Sequence, residues 1–394
     1  MVSLGVFFIQ SDCNDIASPN PITTLSFTML AEIIARLDHI ARPFAVHLPP
    51  SLATQLYSSG RNVFLSALMA ERPPLTRVAE QYKRTLWDLT FQHGLLNAAG
   101  MFKHGEGYET VWGQGAGGYL SGTTTAHQRT GNIKNGIAKP FAPYPRSRAA
   151  SNWLGLPNDG HEAVAKRIAA FERYEGFPIG ASLMTSPESS GKEALEELIV
   201  GMRLYEQAGV DFLEINESCP NVAHGASTLE AITERLEYTS RHFLAQRPRR
   251  LPVVVKFSTD TAPSDVEALL DILCSLGYDG VNFGNTSTNY AHHRTMLHAS
   301  DKALFDYFTQ TFGGGVSGKP LDTLSLNLVR RASEVLRAKA PKQEFHIIRT
   351  GGIATKADVE ESFAAGASLC QWYTGYFERF AEDGHSLYAK MFGV

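Results

Sequence analysis

Residues 214–221, with the sequence EINESCPN, concentrate side chains that can do chemistry at the end of one apolar run. The segment supplies the amides of Asn216 and Asn221 on either side of the thiol of Cys219. Two amides offer donors and acceptors suited to a planar, polar ring with carbonyl and N–H groups. A thiol beside them can act as a base if its pKa falls from the usual value of about 8.5. A buried, inert cysteine in a turn is the alternative interpretation.

Two lysines follow other apolar runs. Lys256 stands near the end of the run LPVVVKF, where a charge at the end of a strand needs an anion or a polarised carbonyl nearby. Residues 98–107, AAGMFKHGEG, bring small side chains and Gly100, which would let a flat ring lie against the backbone under Lys103. An ordinary rim salt bridge and a solvated turn are the alternatives for the two lysines.

Glycine-rich turns recur late in the chain. They are GGGVSGKP (313–320), RTGGI (349–353) and WYTGY (372–376), and the last of them adds the hydroxyl of Thr374. Glycines let backbone N–H groups approach anionic oxygens, and a following helix N-terminus favours negative charge. Together the three turns predict a phosphate-bearing cofactor.

The elements that must position these residues alternate along the chain from about residue 94. Eight short apolar runs separated by helical patterns predict an α/β fold, a closed (β/α)8 TIM barrel, with an open parallel sheet as the alternative. The predicted strands are 95–98, 118–121, 177–183, 212–216, 252–257, 280–284, 345–350 and 367–373. The predicted helices are 161–174, 190–208, 228–245, 263–276, 322–339 and 355–365.

Three stretches depart from this alternation. Residues 122–160 and 285–320 are predicted to be long loops at the C-terminal face of the barrel, where barrel enzymes keep their chemistry. Residues 1–90 are predicted to form an N-terminal helical extension, with amphipathic helices at 24–41 and 76–89, ahead of a barrel over 91–394. This extension would serve as a cap on the barrel or as a docking surface for an electron acceptor.

Composition and charge narrow the class of protein. The net charge of 36 − 40 = −4 gives no basic footprint for nucleic acid. Four cysteines without CxxC spacing fit free thiols in a reducing compartment rather than a disulfide framework. The N-terminus has no cationic region typical of a secretory signal, so a cytoplasmic protein is expected, with peripheral membrane attachment left open.

Taken together, the motifs resemble the dihydroorotate dehydrogenase family over roughly residues 83–394. AAGMFKHGEG is similar to the family's first-strand flavin segment, particularly in its membrane-associated class 2, and NESCPN to its substrate-binding strand end. VKF, NTSTN (285–289), GGVSGKPL, TGGI and YTG complete the pattern in the same order.

The resemblance implies FMN as the cofactor and a role for each matching residue. Cys219 would be the general base and Lys103 a second catalytic residue. The implied substrate ligands are Lys103, Asn152, Asn216, Asn221, Asn285 and Thr286. The implied cofactor ligands are Ala98, Ala99, Gly100, Lys103, Ser121, Asn216, Lys256, Asn285, Ser317, Gly318, Gly351, Gly352, Tyr373 and Thr374; no metal is implied.

Some positions depart from class 2. Cys219 and Val222 follow class 1, where class 2 carries serine and threonine, and Leu156 stands where class 2 usually has phenylalanine. The stretch 146–149 also deviates from the class 2 pattern. The chain therefore resembles class 2 at the flavin and class 1 at the base, which leaves the electron acceptor open among quinone, fumarate, oxygen and a partner flavoprotein.

The implied reaction is the FMN-dependent oxidation of dihydroorotate to orotate in pyrimidine biosynthesis. Cys219 would remove the proton α to a carbonyl while a hydride passes to FMN. The alternatives are a related flavin oxidoreductase acting on another dihydropyrimidine or unsaturated carbonyl compound, a flavin-free barrel for a phosphorylated metabolite, and a non-catalytic scaffold. A homodimer is compatible with this class of barrel, and the sequence does not fix the oligomeric state.

Overall fold

The computed structural model describes residues 30–217 and 228–393. Within these ranges the strands are β1 Arg84–Leu86, β2 Leu89–Phe91, β3 Leu95–Asn97, β4 Tyr119–Thr124, β5 Ile133–Lys134, β6 Ile137–Ala138, β7 Phe141–Tyr144, β8 Ala149–Asn152, β9 Ile179–Leu183, β10 Phe212–Asn216, β11 Val253–Phe257, β12 Gly280–Phe283, β13 Gly315–Gly318, β14 His346–Thr350 and β15 Leu369–Trp372. The helices are α1 Leu30–Ala45, α2 Pro50–Ala70, α3 Tyr108–Gly113, α4 His161–Ala169, α5 Gly191–Gln207, α6 Leu229–His242, α7 Val266–Ser275, α8 Tyr290–Met296, α9 Lys302–Thr311, α10 Asp322–Lys339, α11 Lys356–Ala364, α12 Thr374–Asp383 and α13 Leu387–Phe392.

Eight strands form one sheet in the order β3-β15-β14-β12-β11-β10-β9-β4, and neighbouring strands run parallel. Each of the eight overlaps a strand predicted from the sequence. The six predicted barrel helices are also present, as α4, α5, α6, α7, α10 and α11. Buried parallel strands consist of apolar runs because helices cover their outer face, and these runs allowed the strands to be predicted from the sequence.

The seam between β3 and β4 is closed by a side chain. Asn97 Nδ2 donates to the carbonyl oxygen of Leu120 at 2.7 Å, and Leu120 N–H donates to Asn97 Oδ1 at 3.1 Å. Just beyond, Gly100 N–H donates to the oxygen of Gly122, and Gly122 N–H donates to the oxygen of Phe102. The sheet therefore closes on itself, and the prediction of a barrel rather than an open sheet is confirmed.

The interior of the barrel is filled with side chains below a cavity at the C-terminal ends of the strands. At the N-terminal ends of the strands, the hairpin β1–β2 inserts Leu86, Trp87 and Phe91 against Phe212 and Val254. Above this apolar plug lies a layer of buried polar side chains joined across the barrel. The C-terminal ends of the strands open into a cavity. The apolar plug anchors the barrel from below, so the chemistry is confined to the opposite end.

The N-terminal helices differ from the prediction. The helix predicted at 24–41 is present as α1 from Leu30, and its first six predicted residues lie outside the described part of the chain. The helix predicted at 76–89 is wrong, because this stretch forms a short 3-10 turn and the hairpin β1–β2. Trp87 and Asp88 adopt left-handed φ values of 55° and 61°, which reverse the chain between the two strands. The 21-residue helix α2 was not predicted.

The two predicted loops contain regular structure. Residues 122–160 include β5 to β8, and residues 285–320 include α8, α9 and β13. Strands β7, β8 and β13 form an antiparallel sheet in which β8 is central. The prediction of long loops was wrong, because β13 of the second insertion pairs with β8 of the first and both insertions contain regular structure.

Candidate active site

A cavity of about 940 Å³, including its open mouth, lies at the C-terminal ends of the barrel strands. This position is typical of barrel active sites. It is lined by fifteen of the residues singled out from the sequence, namely Ala98, Ala99, Gly100, Lys103, Asn152, Asn216, Lys256, Asn285, Thr286, Ser317, Gly318, Gly351, Gly352, Tyr373 and Thr374.

Three of the singled-out residues do not join this set. Ser121 is buried on β4 and is not among the described residues that line the cavity. Cys219 and Asn221 lie outside the described residues. Asn216, the last residue of β10 and three positions before Cys219 in the sequence, does line the cavity.

A row of amides crosses one wall of the cavity. Asn285 Nδ2 donates to Asn216 Oδ1 at 3.1 Å, and Asn216 Nδ2 donates to Thr123 Oγ1 at 3.2 Å. Asn285 Oδ1 accepts from the backbone N–H of Thr286 at 2.9 Å. The hydroxyl of Thr286 is buried without a hydrogen-bond partner among the described residues. These contacts fix the amides in place and leave a buried hydroxyl for a polar occupant.

Two lysines approach the cavity from different strands. Lys103 follows β3 and is 9% exposed, and a Cβ at Gly100 would lie 3.6 Å from its Nζ. Lys256, on β11, is 3% exposed, and its Nζ lies 3.4 Å from Oε1 of Glu214 on the neighbouring strand β10. Both ammonium groups are therefore held at low exposure, where their charge acts strongly on a bound molecule.

Below Lys256, the carboxylate of Glu214 is the centre of the buried polar layer. Its Oε2 accepts from Asn282 Nδ2 and Gln371 Nε2, each at 2.8 Å. Its Oε1 accepts from the hydroxyl of Ser182 at 3.2 Å. Glu214 was not predicted as a site residue, because the sequence does not show whether an acidic side chain within an apolar run faces the barrel interior.

The far end of the cavity fits a phosphate group. Helix α12 begins at Thr374, and the preceding Tyr373 provides no side-chain cap for the N–H groups of its first turn. The hydroxyls of Ser317 and Thr374 lie 2.9 Å apart beside these N–H groups, and Gly352 is in the adjacent turn. Free N–H groups at a helix N-terminus, with hydroxyls beside them, make an anion site.

The wall at Gly100 fits a flat ring. Gly100 has a φ of 95°, and it brings bare backbone to the cavity wall next to Lys103. A larger residue there would be strained and would fill the space that the ring needs. The two parts of the wall together fit the two parts of FMN, a planar isoalloxazine and a phosphate.

A second cavity of about 1800 Å³, including its mouth, lies between helices α1, α2 and α12 and the strands β7 and β8. Many of its walls are apolar, among them Ile34, Leu56, Phe64, Phe141 and Phe377. It shares four wall residues with the first cavity, which are Arg148, Tyr373, Thr374 and Glu378.

The shared wall contains charges that sequence analysis missed. Arg148 Nη2 lies 3.0 Å from Glu378 Oε2 and its Nε donates to the same oxygen at 3.1 Å. Burial raises the pKa of Glu378, although the charge of Arg148 opposes that shift. Neither residue lies at the end of a barrel strand, so no strand-end signal pointed to them.

Helix α1 presents its large apolar side chains to solvent. Its inward face carries Ala31, Ala35 and Ala45. The outward stripe consists of residues that are between 51% and 70% exposed, namely Leu30, Ile33, Leu37, Ile40 and Phe44. A continuous apolar stripe of this kind marks a surface for a membrane or a partner. Within the described ranges, each helix is too short or too polar to cross a bilayer.

Comparisons with known proteins agree on one family. The model of the family described as dihydroorotate dehydrogenase matches residues 81–382. A protein of Xylella fastidiosa named dihydroorotate dehydrogenase (quinone) is 30% identical over 309 residues, covering 77% of this chain and 82% of its own. A protein of the same name from Methylococcus capsulatus is 28% identical over 350 residues, covering 87% of this chain and 95% of its own.

Solved structures show the same fold. The ligand-free dihydroorotate dehydrogenase of Eimeria tenella superposes with a TM-score of 0.69 at 21% identity, covering 85% of this chain and 92% of that one. The same enzyme in complex with ferulenol gives a TM-score of 0.67 at 20% identity, covering 87% and 88% of the two chains.

Proposed function

The chain belongs to the dihydroorotate dehydrogenase family of oxidoreductases, and we propose that it oxidises dihydroorotate to orotate with FMN as its bound cofactor. The observation that carries the proposal is the meeting of Lys103, Lys256, Asn216 and Asn285 in one cavity. These residues come from four strand ends that are far apart in the sequence. Their convergence is what an enzyme for a planar, polar, anionic ring requires.

In this proposal the amides position the substrate. Asn216 and Asn285, which are hydrogen-bonded to each other, line the cavity together with Asn152 of β8, and their side chains are proposed to bind the pyrimidine ring. Asn221 and Thr286 complete the substrate ligands. Lys103 would balance negative charge where the flavin ring meets the substrate. Holding the reacting carbons in line is the main contribution of these residues.

Cys219 is proposed as the general base. Its thiolate would take the proton from the carbon α to the ring carbonyl, and it would release that proton to solvent after turnover. FMN, when bound, accepts the hydride that leaves the neighbouring carbon. Lys256 would lie beside the flavin ring, and the turns with Gly318, Gly352 and Thr374 would hold its phosphate.

A quinone is proposed as the electron acceptor. The relatives named above carry quinone in their names, and the second cavity has the size and apolar walls that a quinone ring needs. Because the two cavities share Tyr373 and Thr374, an occupant of the second cavity would lie next to the flavin site. The outward stripe of α1 would then rest in the membrane surface, from which a quinone can enter directly.

An absorption spectrum of the purified protein, followed by anaerobic addition of dihydroorotate, tests the proposal. We expect flavin bands that bleach on addition and recover when a short-chain benzoquinone is added. Flavin bands that persist would favour the related oxidoreductase acting on another dihydropyrimidine. A protein that neither contains nor takes up FMN would overturn the proposal.

The role of Cys219 is tested by two variants and a control. Cys219→Ala should slow bleaching by at least about a hundredfold, which is the usual contribution of a general base, whereas Cys219→Ser should retain part of the rate. Cys274→Ser, at a half-buried thiol on α7, is the matched control and should bleach at the normal rate. Full bleaching by Cys219→Ala would assign the base to another group.

A further inference from the structure

The carboxylate of Glu214 is an unusual occupant of the barrel interior. It is completely buried, and its strand neighbours Leu213 and Ile215 pack into the apolar core around the barrel. Barrel interiors at this level are normally filled by branched apolar side chains. Burying a carboxylate is unfavourable unless donors and a counter-charge surround it. Its presence therefore needs an explanation beyond packing.

Both oxygens of this carboxylate are fully engaged. Oε2 accepts from the amides of Asn282 and Gln371, and Oε1 accepts from Ser182 and faces Lys256 Nζ at 3.4 Å. These amides are in turn held by Thr350, whose hydroxyl donates to Asn282 Oδ1 at 3.0 Å. Hydrogen-bond donors and the ammonium of Lys256 therefore surround the side chain of Glu214.

Lys256 connects this layer to the cavity. Its side chain lines the cavity wall, while its Nζ lies against Glu214, which does not line the cavity. The ammonium is therefore held at the boundary between the polar layer and the site. Any change in the carboxylate alters both where the ammonium points and how much of its charge reaches a bound molecule.

We infer that Glu214 is a positioning residue that fixes the Lys256 ammonium at the floor of the cavity and sets the reduction potential of the flavin bound above it. The inference rests on the proposed function, since it requires FMN in this cavity. A positive charge close to a flavin stabilises its reduced, more negative form and raises its potential. A carboxylate 3.4 Å from that charge offsets it and keeps the potential lower.

The test is the midpoint potential of bound FMN in Glu214→Gln, measured by anaerobic spectroelectrochemistry without dihydroorotate. Glutamine keeps the shape and removes the negative charge. We expect the potential to rise by about 30 mV or more, a tenfold change in the two-electron equilibrium. The parent and the variant should be compared at several pH values between about pH 6 and pH 9.

Three further variants separate charge from structure. Ser182→Ala removes one donor to the carboxylate without changing any charge, so its potential should stay within about 10 mV of the parent. Lys256→Gln should lower the potential, and the double variant with Glu214→Gln should return toward the parent value. If Glu214→Gln fails to fold, Lys256→Gln alone still decides, because an unchanged potential there overturns the inference.

Failure of this inference and failure of the proposed function look different. Absence of bound FMN, or no bleaching by dihydroorotate, would count against the proposed function. Bound FMN with an unchanged potential at every pH in Glu214→Gln would overturn only the role of Glu214. Equal shifts in Glu214→Gln and Ser182→Ala would also overturn it, since a charge effect cannot act through a neutral hydroxyl.

Discussion

Arg61 of α2 donates a hydrogen bond of 2.8 Å from Nη2 to the phenol oxygen of Tyr373, in the turn that follows the last barrel strand. The two residues are 312 positions apart in the sequence. Both line the second cavity, and Tyr373 also lines the first one. This bond therefore ties an N-terminal helix to the turn proposed to hold the FMN phosphate.

Replacing Arg61 by methionine should weaken quinone use without affecting the first half of the reaction. Arg61 lines the proposed quinone cavity, so the substitution removes a charged hydrogen-bond donor from its wall; such a donor contributes about 1.5–3 kcal/mol, and we expect the KM for a short-chain benzoquinone to rise by about tenfold or more. The rate of flavin bleaching by dihydroorotate should stay unchanged. Arg36→Met, at an exposed position on α1, is the control. Equal effects of the two variants would contradict a specific role for Arg61.

Gly352→Ala should reduce the affinity for FMN. Gly352 has a φ of 81°, and a Cβ there would lie 2.3 Å from the Cα of Asp322. The left-handed conformation alone is unfavourable by about 1–2 kcal/mol for alanine, and the contact must push the turn apart. We expect at least tenfold weaker FMN binding, measured by fluorescence quenching on titration of the apoprotein.

Gly277→Ala is the matched control for that experiment. Gly277 has the same φ of 81°, but an added Cβ would meet nothing within 4 Å. It follows α7, away from the cavity. This variant should be destabilised yet bind FMN normally. Loss of FMN binding in both variants would attribute the effect to backbone strain and not to the turn.

Asn97→Leu should destabilise the barrel by about 2–4 kcal/mol. The substitution leaves the N–H and C=O of Leu120 buried without the partners that Asn97 supplies, and each unsatisfied group is unfavourable by about 1–3 kcal/mol. Urea denaturation would measure the change. Asn327→Leu, at an exposed position on α10, should change the free energy of unfolding by less than about 0.5 kcal/mol. A similar small change for Asn97→Leu would show that the seam does not need its side chain.

Acid should destabilise the protein through two buried histidines. Burial lowers the pKa of His93 from 6.5 to about 4 and that of His161 from 6.5 to about 3. Because the folded-state values lie below the unfolded ones, the stabilisation is present above pH 6.5 and is lost as the pH falls toward 4. Each histidine should remove about 2–3 kcal/mol from the free energy of unfolding between pH 7 and pH 4.5.

The variant His161→Gln checks this linkage. Its free energy of unfolding should fall less between pH 7 and pH 4.5 than that of the parent, by about the share of one histidine. His39→Gln, at an exposed position on α1, is the control for the loss of a histidine as such. A parent protein whose stability is flat across this range would contradict the lowered pKa values.

The outward stripe of α1 should control membrane attachment. The double substitution Leu37→Glu and Ile40→Glu places two charges among its most exposed apolar residues, so we expect loss of binding to phospholipid vesicles in a sedimentation assay. Val200→Glu, at an exposed position on α5, is the control. Unchanged binding by the double variant would assign the stripe to another partner.

The sequence was sufficient for the barrel and most of its strand-end residues. In a parallel barrel the C-terminal strand ends lie together, so Lys256, Asn216 and the glycine turns could be assigned to one site from the sequence alone. Residues 76–89 were mistaken for a helix because Val78, Tyr82, Leu86 and Leu89 are spaced by three or four. That spacing is typical of a helix, but Leu86 and Phe91 instead close the bottom of the barrel. Their contacts there are with residues far away in the sequence, so the local pattern could not predict them.

The remaining site residues depend on long-range packing. Arg148 and Glu378 reach the cavity because the turn before β8 and helix α12 bring them there, and Thr123 reaches it because β4 extends beyond the predicted strand end at residue 121. Helix α2 was missed since its middle, with Ser58, Ser59 and Gly60, interrupts the apolar period. Tertiary contacts stabilise this helix where local propensity is weak.

The antiparallel sheet of β7, β8 and β13 limits how this enzyme could be re-engineered. Strand β8 pairs through Ala149–Asn152 with β7 on one edge and with β13 on the other, although β13 arrives from a different insertion. A chimera that grafts one insertion from a homologue would leave β8 with a bare edge and move Asn152. The two insertions therefore form one exchangeable module, to be transplanted together or not at all.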